Sequence, residues 1–145
     1  MADDITRHLA TLSEEVLMEN MASWEAVLAK IEKTLEQSAS KYWTRAKLDF
    51  IRAVADTREA RLFRAGLSRV YLTISTAPKQ GLQRGDFVLR LIWNEKNIPT
   101  VEYGKFGKAS LQSIKLNTYD DPLFLMLPHL KRLWYDSKRK TEIVS

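Results

Sequence analysis

The chain has 145 residues, a formal net charge of +5, 45% hydrophobic and 28% charged residues, and no cysteine. That length suits one domain able to bury its own core, and the composition excludes a disordered chain. The lack of cysteine excludes disulfides, thiolate metal sites and cysteine nucleophiles, and suits a reducing compartment.

The start, Met1-Ala2-Asp3-Asp4, has neither the basic nor the apolar region of a signal peptide. The longest apolar run, Leu123 to Leu127, falls far short of the roughly 20 residues of a membrane span. A cytoplasmic location without membrane contact is the expectation. The charge is unevenly spread. Residues 1–41 carry eight acids against four bases, a net −4, so the remaining 104 residues carry +9. One reading is an acidic arm beside a basic surface that meets an anionic partner; the other is a solvated helix docked on a basic body.

In chain order, the first third reads as helix. A short turn over Ile5 to Leu12 either precedes or is continuous with a helix from about Glu14 to Gln37, with Ser13 as its N-cap and Glu14 and Glu15 in its first turn. Leu17, Met21, Trp24, Leu28, Ile31 and Leu35 step by four and three, an apolar seam that serves either the domain's own core or a helix-pairing dimer. A second helix begins near Lys41. Arg45, Asp49, Arg52 and Asp56 alternate in sign along its solvent face, and Trp43, Leu48, Phe50, Ile51 and Val54 form its buried arc. Arg58 and Arg61 fall into that apolar arc if the helix continues. Either the helix ends near Asp56-Thr57, or the two arginines point inward to bind an anion or pair a buried carboxylate.

After Gly66 the period changes to two. Strands are expected over Val70 to Ile74, Phe87 to Trp93, Thr100 to Lys105 and, more weakly, Ser110 to Asn117. With Glu95-Lys96-Asn97 as the hairpin loop, Leu91 faces Val101, Leu89 faces Tyr103 and Arg90 faces Glu102, and Asn97 takes the left-handed conformation. This register puts Tyr103 in the core and leaves Tyr71 as the well-placed exposed strand aromatic. The stretch from Ala77 to Gly85 is long for a hairpin connection. Asp120-Asp121-Pro122 reads as a cap with a second helix start at Pro128, and Leu130, Leu133 and Trp134 mark the buried side of a short terminal helix.

The expected fold is therefore a single two-layer α+β domain, with N-terminal helices packed on a four-stranded antiparallel meander. It divides into an acidic helical arm (1–41), a body (42–137) and a flexible basic tail (138–145).

Motifs for chemistry are sparse. His8 and His129 have no acid at a useful spacing and read as surface or capping residues. No cluster has metal-ligand spacing, Gly81 and Gly85 do not form a phosphate loop, and there is no nucleophile elbow, so no catalytic residue, metal or cofactor is expected. The primary expectation is a non-enzymatic protein-interaction domain of adaptor, inhibitor or immunity-like type. It would dock a protein partner or a second copy through Met21, Trp24, Leu28, Lys79 and Arg84. Nucleic-acid binding through the basic surface is the alternative. A small enzyme or anion-binding protein with a pocket lined by Arg58 and Arg61 is the second.

Overall fold

The computed structural model describes residues 4–37, 42–68, 70–78, 81–107, 111–116 and 121–144, with only the helical backbone for 122–123 and 140–144. Helix α1 (Asp4–Ala10) is separate from α2 (Glu14–Glu36). The Ser13 hydroxyl accepts the Val16 N–H at 3.1 Å and fixes where α2 starts. Helix α3 (Arg45–Ala55) is capped in the same way by Thr44, whose hydroxyl accepts from the Lys47 N–H. It stops at Asp56, and a single 3₁₀ turn follows over Glu59–Leu62. The helix thus ends before Arg58 and Arg61 can enter its apolar arc. The alternating charges of α3 meet α2: Glu32 lies 3.7 Å from both Arg45 and Arg52, an exposed cluster of small energetic weight.

Five strands follow, β1 (Arg64–Ser68), β2 (Tyr71–Ser75), β3 (Phe87–Trp93), β4 (Pro99–Lys105) and β5 (Gln112–Lys115), in one antiparallel sheet ordered as in the chain. The β3–β4 register is the one expected, with Leu91 opposite Val101, Arg90 opposite Glu102 and Leu89 opposite Tyr103. Asn97 closes the loop at φ 59°. Asn94 holds that loop by accepting the Lys96 and Ile98 N–H groups on its side-chain oxygen.

The strand count of four is corrected to five, because β1 is a strand that alternation does not announce. Gly66 sits at its centre, none of its residues is β-branched, and it lies at the sheet's edge. Its outward edge is completed by α2 instead of a sixth strand. The Ser23 hydroxyl accepts the Ala65 N–H at 2.9 Å, and the Trp24 indole N–H donates to the carbonyls of Ala60 (2.9 Å) and Phe63 (3.2 Å). The Asn20 amide adds a bond to the Arg61 carbonyl. Ser23 takes up an N–H that the open β1 edge would leave free for pairing, and Trp24 and Asn20 hold carbonyls of the turn that leads into the strand.

Helix α4 (Pro122–Val144) closes the chain, and Asp121 caps it by accepting the Phe124 N–H. Pro128 lies inside this helix and does not begin a new one. The carbonyl it leaves without an N–H is that of Phe124, a residue 74% exposed, so water is at hand to satisfy it. The core lies between the helices and one face of the sheet. Trp24, Ile31, Leu48, Ile51 and Val54 meet Leu72, Ile74, Leu89, Leu91 and Val101, with Leu130 and Leu133 from α4. Tyr103 is buried in the same layer, and its hydroxyl donates to the Asp136 carboxylate at 2.5 Å, docking α4 onto β4. Burial first, and the Asp136 hydrogen bond second, push this phenol's pKa up. Among the described residues no helix is long and apolar enough to cross a membrane.

Candidate functional site

Because side chains alternate across a strand, the register that buries Leu72, Leu89 and Leu91 turns their neighbours to the opposite face. Gly66, Thr73, Arg90, Glu102 and Ser113 therefore stand in one row across all five strands. Part of this face is covered by the chain's own loops. Val88 is fully buried there, and Leu111 lies so close over Gly104 that an added Cβ would sit 2.6 Å from its side chain.

The β1–β2 side of the face is open. A groove of about 350 Å³ runs over β1 and β2, and among the described residues no helix contributes to its lining. Gly66 is its floor, where an added Cβ would meet nothing within 4 Å. Ser68 and Tyr71 mark one end. Arg64, Ser75 and Ala77 mark the other, where Gly81, Leu82 and Phe106 form a wall. The wall is built rather than loose: Gly85 donates to the Phe106 carbonyl at 2.9 Å, and the Phe106 N–H donates to Asp86 at 2.7 Å. Gly81 and Gly85 take φ values of 104° and 94°, which suits the residue type placed there.

Two arginines reach this groove. The Arg90 guanidinium carbon lies 5.5 Å from the centre of the Tyr71 ring, a cation–π placement, and Arg64 stands at the far end. Among the described residues neither has a carboxylate within 4 Å, although Glu102 is Arg90's partner in the strand register. Two half-buried guanidinium groups without a carboxylate partner among the described residues, hydroxyls at Ser68 and Thr73, and an aromatic face together form a surface for a planar or anionic ligand.

The residues singled out in the sequence go elsewhere. Met21, Trp24, Leu28 and Arg61 line one cleft of about 190 Å³, together with Glu25 and Asp56. Trp24 is 3% exposed and spends its indole N–H inside the domain, and Leu28 packs against the core. Met21 remains on the surface, as does Met18. Arg58 is not part of this cleft; its guanidinium donates to the Thr6 hydroxyl at 3.1 Å and ties α1 to the 3₁₀ turn. Arg84 lies against Gly107, and Lys79 falls outside the described residues. His129 lies on α4, and burial, followed by Arg132, lowers its pKa.

Two further titratable groups pack against aromatic rings, Lys47 buried and His8 half-buried. Lys47 is 3% exposed, donates to the Tyr42 carbonyl at 2.5 Å and sits 3.6 Å from the centre of the Tyr42 ring; burial lowers its pKa. His8 packs its ring 5.1 Å from that of Trp134. Among the described residues no group of three or more His, Asp or Glu could hold a metal ion. Comparison with known proteins finds no matching family, no matching curated protein and no matching solved structure.

Proposed function

We propose that this chain is a binding domain that captures an anionic ligand in the groove on the helix-free face of its sheet, with Arg64 and Arg90 as the charge contacts. The observation that carries the reading is the pairing of a walled groove with two guanidinium groups that have no carboxylate within 4 Å among the described residues. Evolved surfaces intersperse acids among bases, and cationic groups left together in a concavity favour an anion from solution. The excess of +9 over residues 42–145 adds a long-range attraction of the same sign.

Inorganic polyphosphate is a suitable probe, because it presents charge and nothing else. Binding is expected at low salt, with the logarithm of affinity falling as the logarithm of salt concentration rises, and the Arg64→Ala/Arg90→Ala double variant should bind at least about tenfold more weakly with a shallower salt slope. No binding at low salt, or a double variant indistinguishable from the parent chain, removes this reading.

A further inference from the structure

We infer that the occupant of the groove is a single strand of nucleic acid, with a base stacked on Tyr71 and the backbone phosphates running toward Arg64; this rests on the anion-binding reading above. The inference comes from what the groove offers besides charge. Tyr71 stands on the outer face of the sheet with the Arg90 guanidinium over its ring, so a planar base can stack against this arginine–tyrosine pair while the guanidinium edge meets a phosphate. From Ser68 to Arg64 the floor covers five strand residues, four steps or roughly 14 Å at ~3.4 Å per step. That is room for more than one nucleotide at a stacked rise of ~3.4 Å. The open space above Gly66 allows a ring or a sugar to approach the strand backbone.

The same features argue against other anions. A rigid duplex cannot drop into a recess walled by Leu82 and Phe106, whereas unstacked bases can. An acidic peptide would bind most readily by adding a strand at the β1 edge, but the Ala65 N–H there is already taken by the Ser23 hydroxyl. A peptide carboxylate also makes no use of the Tyr71 face.

The test is fluorescence anisotropy of a labelled twelve-residue oligothymidylate with the full chain, beside polyphosphate, the matching duplex and poly-glutamate at the same salt. The single strand should bind more tightly than the other three. Tyr71→Ala should weaken the single strand about ten- to hundredfold, Tyr71→Phe should restore it, and neither should change polyphosphate affinity. Gly66→Val, whose side chain enters open space, should keep the unfolding midpoint and still weaken oligonucleotide binding; it carries the test if Tyr71→Ala fails to fold.

Oligonucleotide affinity unchanged in Tyr71→Ala, or in Gly66→Val where the first variant fails to fold, overturns the inference. So does a duplex or poly-glutamate bound as tightly as the single strand. In either case polyphosphate binding sensitive to Arg64 and Arg90 leaves the anion-binding reading standing. Loss of both the oligonucleotide and polyphosphate signals removes the two together.

Discussion

The two faces of the sheet are built from the same strands yet do opposite things. On the inner face Leu72, Leu89, Leu91 and Val101 are fully buried against three helices. On the outer face, one residue along each strand, Thr73, Arg90 and Glu102 remain partly in solvent, and Gly66 has no side chain at all. Most of the buried apolar side chains lie on one side, and the half-buried polar ones lie on the other. A two-layer domain can therefore vary its bare face with little effect on its fold.

The sharpest way to break that comparison is to change adjacent residues on β3. Leu91→Ala removes a fully buried side chain from the centre of the core and should cost ~2–5 kcal/mol. Arg90→Ala, next in the chain and opposite in direction, should change stability by no more than ~0.5 kcal/mol while weakening anion binding. Chemical unfolding of both variants decides it. A Leu91→Ala chain with an unchanged midpoint would mean that the faces are assigned the wrong way round.

A smaller effect is expected where the inner layer closes the sheet's edge. Trp24→Phe keeps most of the ring but removes the N–H that reaches the Phe63 carbonyl, and Phe63 is fully buried. Leaving that carbonyl unsatisfied should cost ~1–3 kcal/mol. Amide hydrogen exchange should quicken in β1 and not in β4. Uniform acceleration through the sheet would show that Trp24 supports the core in general and has no particular hold on the β1 edge.

How much of this could be read beforehand follows from where the information sits. The β3–β4 register was legible because apolar and charged pairs agree on both faces at once, and Asn97 sits where the loop needs a left-handed residue. The start of α2 and the stop of α3 were legible from local signals at Ser13 and Asp56, whereas the start of α3, expected near Lys41, lies at Arg45 behind its Thr44 cap. Strand β1 was not, because its outer edge is satisfied by side chains about 40 residues earlier, at Ser23 and Trp24.

The seam containing Trp24 announced a buried stripe without saying what buries it. The groove was hidden for a related reason. Arg64, Tyr71, Arg90 and Phe106 come from four separate strands or their ends, and only the β1–β2–β3–β4 pairing brings them to one surface. The outward direction of Arg90 and Tyr71 was available from alternation alone, and was the one signal that pointed there. Arg58 and Arg61 drew attention through a helical wheel that the chain abandons at Asp56.

The mildest test separates the faces by pH. His8 lies between α1 and α4, its ring against Trp134 and Tyr135, and its Nε2 is buried without a partner among the described residues. Asp4, Glu59 and Lys131 line the same small cavity. Burial first, then the charges of Arg7 and Lys138, lower the His8 pKa, and burial and Arg132 lower that of His129. The unfolded chain, with histidines near pKa ~6.5, therefore binds protons before the folded one does. This contribution to stability is fully present above about pH 6.5 and is lost as the pH falls through the lower folded-state values. The unfolding midpoint should drop between pH 7.5 and 5.5, above the range where carboxylates titrate, and His8→Phe, which keeps an aromatic ring against Trp134, should flatten part of the slope. The outer groove is lined by arginines and no histidine, so oligonucleotide affinity should hold steady over the same interval. A flat stability profile would show that folding does not lower the proton affinity of either histidine, and an affinity that follows stability downward would show that the two faces are coupled.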